Sequence, residues 1–241
     1  MSKENEEKKI SNKKAIIAII IAIILLVILG IVYANLIRNK EKCEEKNNLP
    51  TINIYTGGTI GKPIIYIYPE QETKVSVTVS RPENLTHTYP KYEESWEVIA
   101  KPNGDLVDCK TGRNLYALYW EGINTVEPNM EEGFVVKGED TIKFLEEKLE
   151  ILGLNEREAN EFIIYWLPKL EGNKYNFIRF QTEEEINNNM PLEIIPEPDT
   201  IIRVVMEYKE LKEPIKVQKQ QLKSPERTGY TVVEWGGTEI K

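Results

Sequence analysis

Histidine and cysteine, the side chains most often recruited for nucleophilic and metal chemistry, are nearly missing from this 241-residue chain, which has one histidine and two cysteines. The histidine, His87, lies in Thr86-His87-Thr88-Tyr89, and no G-x-S-x-G turn occurs, so Ser-His-Asp and Cys-His mechanisms have no local support. Cys43 and Cys109 supply neither a disulfide framework nor zinc-ligand spacing. Lys40-Glu41-Lys42 precedes Cys43 where a lipidated cysteine would follow small apolar residues, so Cys43 reads as a free thiol and not as a lipoprotein anchor. Asp105-Leu106-Val107-Asp108 lacks the alternating acids and central glycine of a calcium loop. No metal and no cofactor is expected.

Positive charge is scarce beyond the N-terminus. Residues 1–46 hold nine Lys/Arg and six Asp/Glu, whereas the remainder holds 22 against 33, a net of −11. That balance argues against nucleic acid as a partner, because phosphates need a basic face. It suits a solvated acidic module.

Charge is absent altogether from Ala15 to Ala34, which reads AIIAIIIAIILLVILGIVYA. Twenty such residues at ~1.5 Å rise span ~30 Å, the hydrocarbon thickness of a bilayer, and no face carries a polar stripe. Lys13 and Lys14 bound the run on one side, Arg38, Lys40 and Lys42 on the other, and Tyr33 sits at an interfacial position. The pattern predicts a charged tail over 1–14 and a single transmembrane helix over 15–34 that partners the bilayer. A secretory signal cut after Ala34 is the competing reading, but its apolar core would run only ~7–15 residues, which favours an uncleaved anchor. Basic residues flank the span almost evenly. Lys13 and Lys14 abut the membrane, which places the N-terminus inside and the following domain on the extracytoplasmic side.

Residues 35–61 are polar and glycine-bearing, as in a stalk. Beyond them Pro63 to Tyr68 reads as a buried strand, and Lys74 to Val79 alternates as a half-exposed one does. Trp96 to Ala100 and Leu106-Val107 flank an Asn103-Gly104 hairpin turn, and Leu115 to Trp120 reads as a further strand. A helical hairpin is expected over about 139–168. Its first helix carries Ile142, Leu145, Leu149 and Leu152 and stops at Gly153; its second begins at Asn155 with Glu158 as a capping box and runs to about Trp166 before Pro168. Phe144, Leu145, Phe162, Ile163 and Trp166 are its candidates for burial against a sheet. Strands return at Tyr175 to Gln181, Leu192 to Ile195, Ile201 to Tyr208 and Tyr230 to Trp235, with a loose loop over Lys212 to Pro225. The fold class is therefore α+β: after the membrane helix, a mostly antiparallel, sandwich-like β domain over 62–241 with an inserted helical hairpin.

Thr56-Gly57-Gly58-Thr59-Ile60 resembles the nucleophile segment of L-asparaginases, with Thr59 at the attacking position, but the family's HGTDT segment has no counterpart. GGTIGKP has only three residues between its outer glycines and a proline where a phosphate loop needs Ser/Thr. Trp120-Glu121-Gly122 and Glu234-Trp235-Gly236-Gly237 each join a carboxylate to an aromatic at a strand end, an arrangement that stacks a sugar or peptide while accepting hydrogen bonds. Trp120, Glu121, Glu234 and Trp235 are the candidate binding residues.

KPIIYIYPE (Lys62 to Glu70), GFVVKGEDT (Gly133 to Thr141) and RTGYTVVEWGG (Arg227 to Gly237) together resemble an uncharacterised family of bacterial proteins. The resemblance runs from about Gly61 to Gly237 and implies one shared fold, not a mechanism. The residues themselves favour a non-catalytic, membrane-anchored, extracytoplasmic binding module. The rival is a carboxylate-dependent hydrolase of envelope glycans or peptides that uses Glu121 and Glu234.

Overall fold

The structure, a computed structural model, describes residues 58–241 together with Gly30 and Tyr33. The expected tail, the span apart from those two residues and all but the end of the stalk lie outside the described residues. Among the described residues no helix is long and apolar enough to cross a membrane.

In chain order the elements are β1 (Thr59–Tyr68), β2 (Thr73–Val79), β3 (Leu85–Tyr89), β4 (Trp96–Ala100), β5 (Leu106–Asp108), β6 (Asn114–Leu115), β7 (Leu118–Ile123) and β8 (Glu132–Lys137). The helices α1 (Thr141–Ile151) and α2 (Glu156–Leu170) follow, then β9 (Tyr175–Phe180), α3 (Glu183–Asn189), β10 (Leu192–Ile195), β11 (Thr200–Leu211), β12 (Gln218–Lys219) and β13 (Thr231–Glu239). They build an eight-stranded sheet ordered β12-β8-β9-β11-β13-β1-β7-β3 and a five-stranded sheet ordered β10-β2-β4-β5-β6. Pairing is antiparallel except between β11 and β13 and between β12 and β8.

The period of two in a strand decides the layering. In β1, Ile64 and Tyr66 join Phe162, Trp166 and Leu145 of the helical pair, while Ile65 and Ile67 join Val75, Val77, Val98 and Leu106 of the smaller sheet. The large sheet is thus covered by α1 and α2 on one face and by the five-stranded sheet on the other, and its central strands are buried on both. Edge-to-face contacts of Phe162 with Trp235 (5.3 Å) and Trp166 with Tyr208 (5.8 Å) fix the helices on the sheet.

Several expectations meet this structure. The α+β class, the antiparallel bias and the adjacent helix pair are present, and Asn155 and Glu158 form the reciprocal capping box. Gly153 takes the left-handed conformation, with φ of 86°. The second helix does not stop before Pro168; it continues to Leu170, and Ile164, whose carbonyl loses its helical partner, lies on the exposed side. Ile142 likewise faces solvent, while Thr141 and Lys148 share the buried face of α1 with Leu145 and Leu149. Leu115 to Trp120 is not one strand: Leu115 pairs with Leu106 in the small sheet and Leu118 with Ile65 in the large one, so the chain changes sheets at Tyr116-Ala117. The expected stalk boundary at Gly61 does not hold, because Thr59 to Gly61 already pair with β7 and β13 and Ile60 is buried. Within the expected loose loop, Gln220 is anchored by side-chain bonds to both Phe180 N and Phe180 O.

Strand β13 tolerates Trp166 at close range only because Gly237 has no side chain. A Cβ there would lie 2.8 Å from both Met206 O and the Trp166 ring. Gly237→Ala should lower stability by about 1–3 kcal/mol, the usual cost of overpacking, read as a shifted urea midpoint at unchanged slope. Gly172→Ala, where a Cβ meets open space, should stay within about 0.5 kcal/mol of the parent chain.

Candidate functional site

The ladder of β1 breaks between Gly61 and Ile64 against both β13 and β7, a bulge that leaves Lys62 outside regular pairing. Lys62 has φ of 59°, and no other non-glycine residue among those described has positive φ. Its freed N–H donates to Glu121 Oε1 at 3.2 Å. Backbone in this region costs roughly 1–3 kcal/mol for an ordinary L residue, so surrounding contacts must hold it there.

Glu121 projects from the helix-side face of β7, the face it shares with Tyr119 two residues earlier. On the neighbouring edge strand His87 pairs with Glu121, and its Nδ1 lies 3.6 Å from Glu121 Oε2, too far for a direct hydrogen bond. Burial, then a hydrogen bond and the charge of Glu121, pushes the Tyr119 hydroxyl well above the ordinary tyrosine range. Tyr165, from α2, is raised by burial and by the same carboxylate. Lys62 Nζ lies 5.4 Å and Lys169 Nζ 5.0 Å from the Tyr165 ring centroid.

These groups line a groove of about 520 Å³ whose walls include Lys62, Tyr89, Tyr116, Tyr119, Glu121 and Tyr165. Its mouth is formed by Tyr89 and Tyr116, each about half exposed (51% and 46%). The tyrosine row continues inward. Tyr116 approaches Tyr66 at 6.4 Å, Tyr66 stacks on Tyr68 at 6.4 Å, and the Tyr66 hydroxyl donates to Glu161 Oε2 at 2.7 Å. Arg157 covers Tyr116 at 5.5 Å and binds Glu161. Along the seam between α2 and the sheet, phenols thus alternate with carboxylates.

The four residues marked in the sequence separate into two faces of the large sheet. Glu121 lines the groove. Trp120, its neighbour on β7, points the other way into the inter-sheet core, where its Nε1 donates to Glu234 Oε1 at 2.8 Å. Glu234 is 1% exposed and is held from the other side by Arg203 Nε at 2.7 Å, while Arg203 also donates to Asn187 Oδ1 and Met190 O. Trp235 is fully buried under α2. The expected pairing of Glu121 with Glu234 therefore does not form: a sheet separates the two acids, and Glu234 is sequestered in a structural ion pair. Thr59 is exposed at the start of β1, and among the described residues no histidine or acid is bonded to it.

Arg179, on the face away from α1 and α2, bridges Glu207 Oε2 (3.0 Å) and both Glu185 oxygens (2.8 Å), and Gln181 donates to Glu207 Oε1 at 2.9 Å. A second groove, about 480 Å³, opens beside it over Gln181 and Arg203, whose donors are already committed to Glu207 and Glu234. The Glu121 groove is distinguished by four tyrosines gathered with one carboxylate. Among the described residues no group of three or more His, Cys, Asp or Glu side chains converges as metal ligands would.

Lys62, Tyr89, Tyr116, Tyr119 and Tyr165 escaped the sequence reading, because they come from different elements and share no local motif. Comparison with family models, with curated proteins and with solved structures finds no match to this chain.

The raised tyrosines give the site a titration signature. Neutral Tyr119 is favoured by the fold, so the stability it carries is full below the ordinary tyrosine pKa of ~10 and is lost as pH rises through the folded value. Glu121→Gln should bring the Tyr119 midpoint down without restoring the ordinary value, because burial remains. Carbon-13 tyrosine NMR across an alkaline titration reads this directly; an unchanged Tyr119 midpoint would show that Glu121 does not act on it.

Proposed function

We propose that the chain is a membrane-anchored binding module. Residues 15–34 hold it in the bilayer, a polar stalk leads to β1, and the β-rich domain, on the extracytoplasmic side, takes its ligand in the groove around Glu121. The observation that carries this reading is a carboxylate to which, among the described residues, no Lys or Arg side chain is bonded, and which the strained Lys62 N–H fixes instead in a tyrosine-walled groove. Small-molecule and chain-binding sites combine apolar or aromatic walls with a few placed polar groups in volumes of ~300–1,000 Å³. Catalysis by the Glu121 and Glu234 pair has no geometric basis, since the two lie on opposite faces of the sheet.

Two measurements test the reading. Membrane fractions should retain the full chain and release a chain beginning at Asn47, and protease added outside intact cells should cut the domain; protection until lysis would reverse the orientation. In addition, the full chain, detergent-solubilised, should be retained by isolated cell-envelope material, and Tyr89→Ala combined with Tyr116→Ala should abolish that retention. Both residues are half exposed, so the double variant keeps its core. Equal retention of variant and parent would remove the groove from the function.

A further inference from the structure

Resting on the reading of the groove as the ligand site, we propose that its ligand is a neutral oligosaccharide, one ring seated against Tyr116 and Tyr119 with hydroxyls donated to Glu121. Three features of the groove select this chemistry. First, its aromatic walls are all tyrosine, a side chain that combines apolar ring surface for the C–H side of a sugar with a hydroxyl for its rim. Second, hydrogen-bonding groups of both kinds stand side by side, the Glu121 carboxylate as acceptor and Lys62 and Asn114 as donors, so a ligand whose every hydroxyl both donates and accepts satisfies them together.

Third, the groove discriminates against the main competitor, a basic peptide or amine. Such a cation would seek Glu121 and a tyrosine face. Yet the Tyr165 ring already has two ammonium groups against it, Lys62 at 5.4 Å and Lys169 at 5.0 Å, and Tyr116 is covered by Arg157 at 5.5 Å. A further cation would be repelled by the two ammonium groups at Tyr165 and would compete with Arg157, already paired with Glu161, for Tyr116, whereas a neutral ring meets no such repulsion. An anionic ligand is opposed by Glu121 itself. The groove's volume of about 520 Å³, bounded by Tyr89 of β3 and Tyr165 of α2, exceeds that of a single sugar ring.

The test uses the full chain in a detergent without a sugar headgroup. Saturation-transfer NMR with the tetramer of N-acetylglucosamine and with maltotetraose is compared with a lysine tetrapeptide. At least one oligosaccharide should receive saturation on its ring protons, and Tyr116→Ala or Glu121→Gln should each weaken binding by about tenfold, the scale of one lost stacking or charge-assisted contact. Glu70→Gln, at an exposed turn, serves as the control and should change nothing. Binding of the lysine peptide alone, removed by Glu121→Gln, would overturn the oligosaccharide and leave the groove as a binding site. Oligosaccharide binding that survives both groove variants would also overturn the proposal. Absence of any probe binding, combined with envelope retention indifferent to Tyr89→Ala and Tyr116→Ala, would overturn the binding reading beneath it.

Discussion

Strands β1 and β13 pair at the centre of the large sheet and are buried on both faces, and the rest of the domain answers to that constraint. An antiparallel sheet can leave one face in water, but here Ile64, Tyr66, Val233 and Trp235 demand cover on one side and Ile65, Ile67 and Val232 on the other. The helical pair supplies the first cover and the five-stranded sheet the second. Because β1 (Thr59–Tyr68) and β13 (Thr231–Glu239) are far apart in sequence, the centre of the domain closes only through a long-range pairing.

Burial on both faces makes polar residues in these strands expensive unless they are partnered. Glu234 shows the solution: an indole N–H from Trp120 and a guanidinium from Arg203 occupy its two oxygens. Glu207, on neighbouring β11 and on the same face as Arg203, uses Arg179 and Gln181 in the same way, and Arg179 reaches on to Glu185 of α3. These acids are part of the fold. Glu121 differs in that β7 lies near the sheet edge, where the cover of α2 ends and a groove begins, so its carboxylate is positioned by a backbone N–H and flanked by phenols without being neutralised, among the described residues, by a bonded Lys or Arg side chain.

Much of the fold was legible because it rests on local rules. Period-two alternation marked β2, Asn103-Gly104 marked the β4–β5 turn, and the capping box marked α2. The errors arose where tertiary structure overrides local pattern. No glycine or proline marks Tyr116-Ala117, where the chain leaves one sheet for the other, and β3 is an edge strand whose mixed exposure hides its period. Helix α3 went unseen although Thr182 and Glu185 form a capping box, because its single buried apolar residue, Ile186, makes no periodic pattern. In the site, one error could have been avoided. Adjacent residues of a strand face opposite sides, so neither Trp120-Glu121 nor Glu234-Trp235 can send both its members into one pocket. The tyrosine walls, by contrast, are gathered from β3, the Tyr116 turn, β7 and α2, and only the fold brings them together.

The position of the strain is the most informative feature of the groove. Gly61 precedes Lys62 and would accept a left-handed conformation at little cost, yet Gly61 stays in register with Gly237 while Lys62 takes the positive φ. The bulge spans Gly61 to Ile64. Placed at Lys62, it aims one residue's two donors at the same site: the N–H fixes Glu121 and the ammonium stands against Tyr165. Backbone strain of roughly 1–3 kcal/mol at a non-glycine residue must be offset by the packing around it. Here Ile64 and Ile65, buried directly after the bulge, hold β1 in place and leave Lys62 no room to relax. Buried residues of β1 thereby set the geometry of the partly exposed groove beside them.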